Sequence, residues 1–120
     1  MIPATVTGDD AGLLTLTAAG HAIEAIAVPG AFRDALVCLR PEDVSIAPGR
    51  EATPGSARNK LPGVVTRIVP SGADARIEID CGFPLIARIT RRSVDELSLA
   101  PGTRVVASFK ATAVHLIAKG

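Results

Sequence analysis

Two short stretches, Ser56-Ala57-Arg58-Asn59 and Lys110-Ala111-Thr112-Ala113-Val114-His115-Leu116, gather hydrogen-bond donors beside apolar, strand-like runs. Ser56 and Thr112 carry hydroxyls, Arg58 a planar fork of donors, and Lys110 a compact charge. Gly55 and Ala57 leave room for backbone N–H groups to approach a ligand, and concave runs of such groups bind anions. Donors of this kind suit one small anion. Neither stretch holds a group suited to covalent chemistry, so the pattern points to binding rather than catalysis. The same residues also read as a surface loop and a solvated strand end. Taken alone, their physics favours that plainer reading.

Competing chemistries find less support. None of Lys60, Lys110 and Lys119 stands in a glycine-rich phosphate loop. His21 and His115 have no Cys, Asp or Glu at a ligand spacing, so no metal site by side-chain coordination is expected. His115, inside Ala-Val-His-Leu-Ile, reads as a strand histidine. No nucleophile elbow is present, and the chain reads as neither an enzyme nor a cofactor carrier. Single-stranded nucleic acid is bound by aromatic platforms in a basic groove. Here the aromatic residues are only Phe32, Phe83 and Phe109, and 13 Lys and Arg against 12 Asp and Glu leave a net charge of +1. Arg91-Arg92 reads as a solvated helix start.

The elements that must position the donors are strands. Val, Ile, Leu and Ala dominate the 120 residues, with 11 Gly, 9 Pro, no Trp and no Tyr, a composition of short strands and tight turns. Strands are expected near residues 4–7, 14–17, 22–28, 36–39 and 44–46, with a hairpin loop at Gly8-Asp9-Asp10-Ala11-Gly12. Residues 48–55 (PGREATPG) have the composition of a surface linker and divide the chain into lobes 1–50 and 51–120. In the second lobe, 61–69 is apolar, and 70–74 is a loop. Ile77, Ile79 and Cys81 alternate with Arg76, Glu78 and Asp80, and Leu85, Ala87 and Ile89 with Ile86, Arg88 and Thr90. Ser93-Val94-Asp95-Glu96 has capping-box spacing, predicting a short helix over 93–97. Strands 104–109 and 113–117 follow. Five strands with a helix after the third is the order of a small OB-type barrel, so the expected fold is all-β, with OB-fold-like small barrels and one short helix. No second Ser-Ala-Arg-Asn appears in the first lobe. Cys38 and Cys81 read as buried, reduced thiols, although sequence does not decide a disulfide. No charged-then-apolar leader and no membrane-length apolar run is visible, so a soluble, intracellular protein is expected.

Ser-Ala-Arg-Asn followed by Leu61-Pro62-Gly63-Val64-Val65 resembles the opening of the Mop/TOBE family of molybdate- and tungstate-binding domains. Leu85-Ile86-Ala87-Arg88-Ile89-Thr90-Arg91-Arg92-Ser93, Leu97-Ser98-Leu99-Ala100-Pro101-Gly102 and the Lys110 stretch continue the pattern in order over residues 56–117. Val37-Cys38-Leu39-Arg40-Pro41-Glu42-Asp43-Val44 is similar to a segment that follows the nucleotide-binding domain in import ABC transporter ATPases. Residues 1–50 match such a tail better than a second Mop repeat. The resemblance implies a cytoplasmic C-terminal regulatory region of a molybdate- or tungstate-type importer ATP-binding subunit. It implies molybdate or tungstate as ligand, held by Ser56, Ala57 and Arg58 on one side and Lys110, Ala111 and Thr112 on the other. Family members often have Ser where Thr112 stands. It further implies homodimers or higher oligomers whose half-sites meet across an interface, and, as partners, an ABC nucleotide-binding domain and a membrane permease. A ligand-free dimerisation module and a stand-alone molybdate store are the alternative readings.

Overall fold

The computed structural model describes residues 1–49 and 57–119. In chain order, the strands of the described residues are β1 (Ile2–Asp10), β2 (Leu13–Ala18), β3 (His21–Ile26), β4 (Asp34–Cys38), β5 (Ser45–Pro48), β6 (Asn59–Ser71), β7 (Asp74–Asp80), β8 (Pro84–Thr90), β9 (Arg104–Phe109) and β10 (His115–Lys119). They form two antiparallel sheets, ordered β10-β4-β1-β2-β3 and β5-β9-β6-β7-β8. The fold is all-β with one short helix, α1 (Arg91–Glu96), as the composition led one to expect.

Period-two alternation decides which face of each strand is buried. Leu14, Leu16 and Ala18 are buried while Thr15 and Thr17 are not. Ala75, Ile77 and Ile79 are buried while Arg76 and Glu78 are not. Leu16, Ile23 and Val37 of the first sheet join Val65, Ile77 and Phe109 of the second in one contiguous core.

The sheets do not divide at residue 50, because each takes a strand from the other half of the chain. After β4, a 3-10 turn at Pro41–Asp43 redirects the backbone, and β5 pairs with β9. After β9, a second 3-10 turn at Ala111–Ala113 does the same, and β10 pairs with β4. The last strand, expected over 113–117 as the fifth of the second lobe's own barrel, starts at His115 and belongs to the first sheet. The expected linker lies largely outside the described residues.

The exchange exposes a repeated architecture. In both sheets, the first strand of the half pairs with the second through a bulge, between Val6 and Gly8 in β1 and between Val65 and Arg67 in β6. At each bulge a threonine hydroxyl donates to a carbonyl across the hairpin, Thr7 to Thr15 (3.2 Å) and Thr66 to Glu78 (3.1 Å). Val6 N–H donates to Arg33 O at 2.7 Å and Val65 N–H to Thr103 O at 2.9 Å. Ile2-Pro3-Ala4 and Leu61-Pro62-Gly63 occupy matching places against β4 and β9. In sequence this repeat is hidden, because α1 and its following loop stand between β8 and β9 where an irregular segment joins β3 to β4.

The helix starts two residues before the position expected from Ser93. Thr90, in extended backbone, accepts the Ser93 N–H at 3.1 Å and is the true N-cap. Its hydroxyl stands three residues ahead of Ser93, the reach an N-cap requires. Gly63 is the glycine that packing demands. A Cβ there would lie 2.7 Å from Cys81 Sγ and Ile79 Cγ2 and 2.9 Å from Asp80 O. Both cysteines are free, Cys81 buried and Cys38 half-buried. Burial, and secondarily Asp80, push the Cys81 thiol up to about 11, so it stays protonated at neutral pH. Among the described residues, no helix is long and apolar enough to cross a membrane.

Candidate anion-binding site

Asn59, the first residue of β6, pairs with Phe109, the last of β9. Following that antiparallel register one residue outward sets Arg58 beside Lys110 at the same end of the sheet. The chain then turns through Ala111–Ala113, which packs against β3, an edge strand of the other sheet. Ala111 is buried there, while Lys110 and Thr112 are exposed. Arg58 and Lys110 thus each adjoin the Asn59–Phe109 pair, Ala57 preceding the one and Ala111 and Thr112 following the other along the chain. Ser56 lies outside the described residues. What faces the two segments comes from the other half of the chain, through β3.

The buried Asn59 joins these parts. Its side-chain oxygen accepts the Glu24 N–H at 2.7 Å, and its amide nitrogen donates to the Glu24 carbonyl at 2.9 Å. The carboxamide thus takes up backbone groups that an edge strand would leave open. Asn59 is 2% exposed and both of its polar ends are used, which makes burial of the amide tolerable. Glu24 then turns its carboxylate to Arg58. Arg58 Nε donates to Oε2, and Nη2 donates to Oε1 at 3.3 Å. The hydrogen bond and the charge of Glu24 raise the guanidinium above its ordinary value, so Arg58 is a permanent cation. Lys110 makes no ion pair among the described residues.

The mouth therefore carries two positive groups, one hydroxyl and one internal carboxylate. The chemistry open to these groups is charge-assisted hydrogen bonding, and among the described residues no nucleophile stands beside a base there. Sequence reasoning named Asn59 without giving it a role and gave Glu24 none. The only signal for Glu24 was a lone carboxylate between the apolar Ile23 and Ala25.

A cleft of about 440 Å³ opens elsewhere, beside Gly63, and is lined in part by His21, Asp80, Gly82 and Arg104. Neither Arg58 nor Lys110 reaches it. An anion there would meet the Asp80 carboxylate, which already accepts the Gly82 N–H at 2.8 Å.

Comparison with known proteins agrees with this architecture. The sequence pattern of the TOBE domain matches residues 55–116. The molybdenum import ATP-binding protein ModC 1 of Azotobacter vinelandii is 41% identical over 106 residues, covering 74% of this chain and 28% of that protein. The chain thus spans less than a third of the length of this curated relative. The cytoplasmic molybdate-binding protein ModG, solved with molybdate bound, superposes with a TM-score of 0.81 over 98% of this chain and 94% of its own, at 21% identity. A molybdate-binding protein from Sporomusa ovata is 41% identical, with a TM-score of 0.52 over 54% of this chain and 98% of its own. With the pattern matched over more than half its length, the chain belongs to the TOBE domain family.

Proposed function

We propose that this chain binds molybdate or tungstate, with Ser56, Ala57 and Arg58 on one side of the ligand and Lys110, Ala111 and Thr112 on the other. The observation that carries the reading is the pairing of Asn59 with Phe109, which brings Arg58 and Lys110 to one mouth. Binding of molybdate by the Sporomusa ovata protein, at 41% identity, supports the choice of ligand. A tetrahedral dianion asks for several donors and little apolar contact. Charge-assisted bonds contribute roughly 1.5–3 kcal/mol each, so a handful reach micromolar affinity after the cost of association.

The likeness to the Azotobacter vinelandii importer subunit supports a place for this chain as an accessory region of an ABC importer ATPase. There, cytoplasmic oxyanion bound at the mouth would favour a transport-inactive arrangement of paired ATPase subunits, with the permease as the membrane partner. Such feedback needs the ligand to bind the two arrangements with different affinity. A second reading, a free-standing oxyanion-binding protein, is favoured by the 98% of the Sporomusa ovata protein that this fold covers.

Calorimetry on the chain with molybdate, tungstate and sulfate tests the binding. Ligand at about 100 times its Kd should add about 2.7 kcal/mol of stability in a dye-based melt. Lys110→Ala should abolish that shift and leave the ligand-free melt in place. No heat and no shift with either metal oxyanion would rule the reading out.

A further inference from the structure

We infer that Glu24 is an internal competitor for Arg58, the carboxylate that an entering oxyanion must displace or bear beside it, and that it thereby sets the affinity of the site. The inference rests on the binding reading above and concerns a residue outside the expected ligand set.

Three observations carry it. First, Glu24 already occupies one edge of the guanidinium, through Nε and Nη2, in the forked geometry that an oxyanion would use. A ligand oxygen either takes that edge or sits on the remaining donors, within a few ångströms of a carboxylate of like charge. Second, the backbone of Glu24 is held in place. Its backbone N–H and carbonyl are both held by Asn59, at 2.7 and 2.9 Å, so only its side-chain torsions can carry the carboxylate away. Third, the matching place in the other sheet carries no acid. Glu24 pairs with Thr15, and Thr15 stands in the row of Gly8 just past the β1 bulge. Its counterpart, by way of Arg67 and Glu78 past the β6 bulge, is Ile86. A carboxylate at this row is therefore particular to the end where Arg58 and Lys110 lie, and packing of the repeated fold does not demand it.

Glu24→Gln isolates the effect. The clamp uses only the backbone of residue 24, so the variant keeps Asn59 satisfied and removes the charge alone. In calorimetry on the full chain at low salt, Glu24→Gln should bind molybdate roughly two- to tenfold tighter than the wild type. The gain should shrink as ionic strength rises. It should be smaller in the Arg58→Ala background, where only the like-charge repulsion between Glu24 and the oxyanion is left to relieve. A merely structural role for Glu24 would shift the melting temperature without this dependence on Arg58. If the wild type binds and Glu24→Gln binds equally or more weakly, the competitor role fails and the binding reading stands. If only Glu24→Gln binds, the competitor role is supported and the binding reading fails for the wild-type chain. If neither protein binds molybdate or tungstate, the binding reading falls, and the competitor role with it.

Discussion

The two 3-10 turns of this chain have the same backbone and opposite electrostatics. Arg40 and Lys110 each precede their turn in extended conformation, with φ of −80° and −77°. Each turn closes alike, Asp43 N–H donating to the Arg40 carbonyl at 2.9 Å and Ala113 N–H to the Lys110 carbonyl at 3.0 Å. Each packs against the third strand of the opposite half, the first turn on β8 and the second on β3. In the first turn the cation is answered inside the turn itself, Arg40 Nε meeting Asp43 Oδ2 at 3.1 Å, with Glu42 adding a second negative charge. In the second, Thr112 and Ala113 stand where Glu42 and Asp43 would be, and Lys110 has no acid in its own turn. One backbone device thus serves two ends of the molecule. Within the turns themselves, side chains alone decide that the cation is answered by an acid at Arg40 and not at Lys110.

The largest effect that would break this contrast is at Asn59. Asn59→Ala removes the clamp on Glu24, strands one N–H and one carbonyl and leaves a void, at a cost of about 2–4 kcal/mol. Urea unfolding followed by far-UV circular dichroism measures it. A loss within experimental error of zero would mean that the two halves are not coupled through this residue.

Next comes the pair Gly63 and Ala4, which hold matching places in the two sheets. Gly63→Ala drives a Cβ into Cys81, Ile79 and the Asp80 carbonyl and should cost about 1–3 kcal/mol. The buried Ala4 already carries a Cβ at its place, and Ala4→Gly should cost about 0.5–1 kcal/mol, through added chain entropy. Equal losses in thermal melts would show that the repeat does not extend to side-chain packing.

The smallest effect is expected at Arg40. Its side chain is 67% exposed, and the pair it makes with Asp43 is worth little in water. Arg40→Ala should leave the melting temperature within a degree or two and any binding of molybdate unchanged, whereas Lys110→Ala should abolish that binding. A matching loss of binding in Arg40→Ala would erase the distinction between the two turns.

Much of the fold was legible from local pattern. Alternation in Leu14-Thr15-Leu16 and in Ile77-Glu78-Ile79 announced strands with one buried face, and turn residues marked their ends. The short helix was legible too, though Thr90 rather than Ser93 caps it. Two hydroxyls at workable spacings stood in the same stretch, and only backbone geometry separates them. Strand partners were not legible. Nothing in Leu116-Ile117-Ala118 says whether it pairs within its own half or with β4, since either sheet offers an apolar edge of the same period.

The donor clusters follow the same division. The residue types of Arg58, Lys110 and Thr112 are enough to say that an anion rather than a nucleic acid or a metal would suit them, because charge and donor inventory are properties of single side chains. Their meeting at one mouth, the Asn59 clamp and the Glu24 carboxylate set against Arg58 were decided only by the tertiary structure. Each depends on a pairing across 34 or more residues, and such pairings are selected by the burial of two whole sheets at once and not by any local run of the chain.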